Sequence, residues 1–187
     1  MERLSGVGAV FLAVETATNP MHVATLAVLD PSAAPGFGLA AVRCLIEARL
    51  HLLAPLRRRV VEVPFGLGRP VAVDDPHFVL DDHLHRVAVP TPGGRAELAA
   101  VVAGILGRPL RRDRPLWELH LVEGLEDGTV ALVAKMHHAV ADGIVGAELL
   151  LRLFDTEPET EPGPPPPPGP APWAPGPLPA PAELLRA

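Results

Sequence analysis

Thr129-Val130-Ala131-Leu132-Val133-Ala134-Lys135-Met136-His137-His138-Ala139-Val140-Ala141-Asp142-Gly143 is the stretch whose reading decides the fold. Its first eight residues are almost continuously apolar, as expected for a central strand buried on both faces. Two histidines close that strand. After Gly143, apolar residues recur at Ile144, Ala147, Leu151 and Phe154, which is helical spacing. A central strand thus hands over to a helix through an HHxxxDG segment.

Working outward, Glu126-Asp127-Gly128 predicts a hairpin turn back to an earlier strand. There Trp117, Leu119 and Leu121 alternate with Glu118 and His120, which predicts one wet face. Residues 21–29 read as a strand. Leu39, Val42, Leu45, Ile46, Leu50 and Leu53 predict a helix. Short strands are expected over 59–63 and 69–73, around a Pro64-Phe65-Gly66 turn, and a helix over 97–106. Strands and helices interleave, so the class is α/β.

Hydrophobic residues make up 48 % of the 187 and charged residues 20 %, enough for one domain with a real core. The net charge of −6 argues against nucleic acid as a partner, because a binder of phosphate backbones presents a basic face. Cys44, the single cysteine, cannot form an internal disulfide and suits a reducing cytoplasm. Its place in an apolar helical pattern predicts a buried, inert thiol. The N-terminus has no basic segment followed by an apolar core, so no signal peptide is read. No run approaches the ~20 apolar residues of a membrane span, and a soluble or peripheral protein is expected.

Composition divides the chain. Residues 1–156 are patterned like a folded domain, whereas 157–181 are dominated by proline, with Pro164 to Pro168 in a row. Proline fixes φ and removes a donor, so this segment is expected to be a polyproline II spacer. Residues 182–187 read as the first turn and a half of a helix, expected to open a further C-terminal domain because such a short helix is unstable alone.

Histidine is the side chain suited to moving a proton near neutral pH. His137 and His138 adjoin at the end of an extended segment, so their side chains should point to opposite faces. Two diverging histidines make a poor metal pair, and no HExxH accompanies them, so no metal is expected there. A serine triad lacks its GxSxG elbow. A histidine acting as general base without a covalent intermediate remains, beside the plainer reading that the pair simply packs at a strand end; the complete HHxxxDG pattern favours the base.

HHxxxDG resembles the signature of the CoA-dependent acyltransferase superfamily. Arg114-Pro115-Leu116-Trp117-Glu118 is similar to the PLW motif of its bacterial wax ester synthase/diacylglycerol acyltransferase family. Asn19-Pro20-Met21-His22-Val23, Leu56-Arg57-Arg58-Arg59, Val73-Asp74-Asp75-Pro76-His77-Phe78 and Leu121-Val122-Glu123-Gly124-Leu125 also resemble that family. The resemblance covers about residues 4–156. One departure is Gly8, which stands where the family's Leu-Ser-x-x-Asp-x-x-Phe-Leu stretch carries aspartate, on what is taken as an opening strand.

The resemblance implies a chloramphenicol-acetyltransferase-like N-terminal domain, a mixed sheet flanked by helices, with the active site shared with a C-terminal domain. It implies an O-acyltransferase that moves a long-chain acyl group from acyl-CoA to diacylglycerol or a long-chain alcohol. His138 would be the base, Asp142 would hold the loop, and Gly143 would let the chain enter the helix closely packed. His137 would either line the acceptor side or pack. Trp117 is expected in the core, and the Arg108, Arg111, Arg112 and Arg114 cluster on a solvated face. No cofactor is implied beyond acyl-CoA as substrate. The protein would be cytoplasmic, in peripheral contact with membrane or lipid inclusions, and this stretch by itself would be inactive. Two other readings stay open: a condensation-type domain forming amides, and a non-catalytic module binding lipid or a partner.

Overall fold

The computed structural model describes residues 1–140 and 173–186. The helix expected after the motif, Asp142, Gly143 and most of the proline-rich segment lie outside the described residues.

The long apolar run forms β7 (Val130–His137), and it is central as expected. On one side it pairs antiparallel with β2 (His22–Leu29), from His22 opposite His137 to Leu29 opposite Val130. On the other it pairs antiparallel with β6 (Trp117–Glu123), where Trp117 faces Met136. The two meet through the expected turn: Gly128 takes a positive φ of 78°, and its N–H donates to the Leu125 carbonyl. An edge strand, β5 (Leu84–Ala88), runs parallel to β6, so the sheet is mixed, in the order β2-β7-β6-β5. Parallel neighbours require a crossover, and α3 (Arg95–Leu106) supplies it.

Strand alternation sends two sets of side chains to two helical layers. Trp117, Leu119, Leu121 and Leu132 pack with Val42 and Ile46 of α2 (Leu39–Arg49). Val122, Ala131 and Val133 pack with Ile105 of α3. Trp117 is buried, as expected, and its indole N–H donates to the Leu56 carbonyl over 2.8 Å, which satisfies the one polar atom the ring carries inside.

A second, three-stranded sheet holds β1 (Glu2–Arg3), β3 (Arg58–Val61) and β4 (Val71–Asp74), all antiparallel, in the order β1-β4-β3. Residues 173–186 return to this domain. Leu184, in the short helix α4 (Pro181–Leu184), is buried against Val71 and Val73, and Trp173 meets the Phe78 ring edge-on beneath the Arg57 guanidinium.

Three expectations need correction. The opening stretch is a helix, α1 (Gly6–Val14), because the Ser5 hydroxyl caps it by accepting the Gly8 N–H. The face of β6 bearing Glu118 and His120 is not wet: those side chains are only 22 % and 11 % exposed, shielded by neighbours from distant sequence. Cys44 is exposed, because α2 turns Val42 and Ile46 inward and carries the thiol on its outer side.

Candidate active site

The strand end places the two histidines differently. His137 is fully buried. Its backbone N–H donates to the Leu116 carbonyl, and its Nδ1 accepts the Ala139 N–H at 2.9 Å. An accepting Nδ1 leaves the proton on Nε2, which lies 3.3 Å from Glu15 Oε1. The side chain therefore folds the turn back on itself, and the Val140 N–H closes it on the His137 carbonyl.

Glu15 follows α1 and is itself nearly buried. It accepts the Met21 N–H on Oε1 and the Arg112 Nε–H on Oε2 at 3.0 Å. Burial would raise its carboxyl, but the Arg112 and Met21 hydrogen bonds outweigh burial and leave it below the usual range. For His137, burial dominates over the attraction of Glu15 and lowers the pKa, so the ring is neutral at pH 7.

His138 faces the other way. Its ring stacks on Phe11 of α1, and it lines a cavity of about 210 Å³ with Ser5, Val7, Gly8, Pro55, Arg58 and neighbours from β1 and β4. The backbone is pinned by its N–H to the Met21 carbonyl. Helix α1 and the motif turn lie close together: a Cβ at Gly8 would sit 3.0 Å from the Ala139 carbonyl oxygen. The His138 imidazole thus stands half-buried at the wall of this cavity, a position from which a histidine can exchange a proton with a bound group.

Arg112 is tied to Glu15, Arg111 to Asp113, and Arg114 lies 3.4 Å from Asp82, so these three guanidiniums are spoken for rather than gathered as a phosphate clamp. Glu15 carried no readable signal, because its side-chain partners, Arg112 and His137, come from about a hundred residues or more downstream. Phe11 lay inside the family-like opening stretch.

The model of the wax ester synthase/diacylglycerol acyltransferase catalytic domain matches residues 4–182. The chain belongs to this family. A Mycobacterium tuberculosis protein named as a diacylglycerol O-acyltransferase is 43 % identical over 160 residues, which is 85 % of this chain and 34 % of that protein. A second from the same organism is 40 % identical over 142 residues, 76 % of this chain and 52 % of its own length. Among solved structures, the wax ester synthase/diacylglycerol acyltransferase from Marinobacter aquaeolei VT8 superposes with a TM-score of 0.71 at 34 % identity, covering 88 % of this chain and 40 % of that one. The starter condensation domain of rhizomide synthetase superposes with a TM-score of 0.61 at 14 % identity, over 81 % of this chain and 36 % of that one, which shows a shared fold alone. The fold is thus the chloramphenicol-acetyltransferase-like one of the wax ester synthase/diacylglycerol acyltransferase family. The chain spans about a third of the length of the first mycobacterial relative.

Proposed function

We propose that this chain carries the general-base half of an acyl-CoA-dependent O-acyltransferase that forms triacylglycerol or wax esters. The supporting observation is the division of labour at the strand end, His137 locked inside and His138 presented to the cavity, in a member of this family. In the reaction, His138 accepts the proton of an acceptor hydroxyl as its oxygen attacks the acyl-CoA thioester carbonyl. The tetrahedral intermediate collapses to ester, the C–S bond breaks, and the His138 imidazolium returns the proton to the departing CoA sulfur. No covalent acyl-enzyme is needed, because a thioester is already an activated donor. General-base assistance is worth about 10²–10⁴-fold, and positioning and oxyanion stabilisation supply the remainder.

His137 is a positioning residue in this scheme, while Asp142 and Gly143, to which the family resemblance gives supporting roles, lie outside the described residues. The cavity of about 210 Å³ is smaller than the ~300–1,000 Å³ of ordinary small-molecule sites, so acyl chain and acceptor require further walls. A C-terminal domain supplies them, and this chain alone is inactive. Acyl-CoA and diacylglycerol or a fatty alcohol are the partners, met in the cytoplasm at a membrane or lipid-inclusion surface. Among the described residues, no helix is long and apolar enough to cross a membrane.

The test joins this chain to the remaining length of the Marinobacter enzyme and supplies labelled palmitoyl-CoA with dioleoylglycerol, hexadecanol or a long-chain amine. Ester from either alcohol supports the proposal. Amide alone, or no product from a folded chimera while the parent enzyme makes ester, overturns it.

A further inference from the structure

On the face of the sheet that packs against α3, away from the Phe11–His138 stack, three potential metal ligands converge. His85 of β5 and His120 of β6 are direct partners in the parallel register, and Glu118 precedes His120 by two residues and so shares its face. One ligand atom from each lies within 4.8 Å of the others. The His85 and His120 ring centroids are 4.7 Å apart, and His120 Nε2 is 3.2 Å from Glu118 Oε2. Donors about 2.0–2.1 Å from a tetrahedral ion stand roughly 3.3 Å from one another, so this last edge already has that length.

We propose that His85, Glu118 and His120 form a binding site for a divalent transition-metal ion of the zinc type, separate from the His138 cavity. Two imidazoles and a carboxylate suit borderline ions such as Zn²⁺ or Co²⁺ rather than Mg²⁺ or Ca²⁺, which call for more oxygen ligands. Three protein ligands leave a fourth position for water, as open zinc sites do.

Among the described residues, the Nδ1 of His120 is buried without a hydrogen-bond partner.

Lys135, the chain's only lysine, is fully buried on β7, where its ammonium donates to the Ile105 carbonyl at 3.1 Å and to Glu118 Oε2 at 3.5 Å. It approaches Glu118 from the β7 flank, whereas His85 stands on the β5 flank. The ammonium thus holds the carboxylate in place from outside the three ligands. An ion here would tie the edge strand β5 to β6.

The test is calorimetric titration of the metal-free, untagged 187-residue chain with Zn²⁺, and Co²⁺ substitution read by the visible bands of a four-coordinate ion. One equivalent should bind, and His85→Gln or His120→Gln should each weaken binding by roughly 100-fold or more with the circular dichroism spectrum unchanged. A His51→Ala/His77→Ala variant, lacking two exposed histidines, should bind like the parent. Absence of stoichiometric binding overturns the proposal. So does binding that survives both glutamine variants, or that is lost with His51 and His77. Should either glutamine variant misfold, the parent decides by itself: Zn²⁺ must raise its melting temperature, and Co²⁺ must show nitrogen-ligated four-coordinate bands.

Discussion

The His138 imidazole lies flat on the Phe11 ring, with centroids 4.5 Å apart and planes 15° from parallel. The stack fixes the direction in which the imidazole meets the cavity, and it couples α1 to the end of β7. Removing the ring frees the imidazole to rotate. Because misplacing a reacting group by about 1 Å can cost ~10²-fold, Phe11→Ala in the chimera should lower kcat by about 10–100-fold with little change in KM. Steady-state kinetics with palmitoyl-CoA reads this, and an unchanged kcat would show that the stack is only packing.

The His137 turn makes stability depend on pH. A neutral Nδ1 must accept the Ala139 N–H, and burial holds the folded pKa below the unfolded value near 6.5. As pH falls through about 6.5, the unfolded chain takes up this proton first, so stability falls with it. Urea unfolding at pH 7.5, 6.5 and 5.5 should show that decline. In His137→Asn, which keeps an acceptor near the Nδ1 position but does not titrate, the decline should be shallower. Equal slopes in the two proteins would assign it to other histidines.

Gly93 should tolerate no side chain. Its φ is +85°, its carbonyl accepts the Glu126 N–H, and a Cβ there would collide with the Gly124 carbonyl oxygen. Left-handed backbone alone costs an L-residue about 1–2 kcal/mol, and the collision adds to it. Gly93→Ala should therefore lose about 2–3 kcal/mol in urea melts. A loss under about 0.5 kcal/mol, the range of a neutral surface change, would contradict the close approach.

Much of this fold was legible in the sequence, and the failures share a cause. β7 could be read because a run of apolar residues has one economical place, the middle of a sheet. The turn before it announced itself through Asp127-Gly128. Helix α1 was missed because Gly6, Val7, Gly8 and Val10 are poor helix formers by themselves; a single cap at Ser5 and packing on the motif turn decide the matter. Glu118 and His120 looked like solvent-facing residues because their shield, Lys135 and α3, comes from elsewhere in the chain. At the site, the sequence singled out the histidine pair but not Glu15 or the side chain that His138 rests on. Those relationships are long-range, and no local spacing encodes them.

The returning segment should detach without unfolding the domain. Leu184 is its buried anchor on Val71 and Val73. Leu184→Asp should cost the docked form about 2 kcal/mol or more, raising the open population roughly 30-fold. Limited proteolysis should then cut within 173–186 at least ten times faster, while the far-ultraviolet circular dichroism melt shifts little. Parent-like cleavage would mean that Leu184 does not hold the segment.

The rate of palmitoyl transfer to dioleoylglycerol by the chimera, with and without His138→Ala, tests whether His138 is the base. If it is, kcat falls by about 10²–10⁴-fold with the fold intact, and His137→Asn loses far less. A His138→Ala protein that transfers at the parent rate would contradict it.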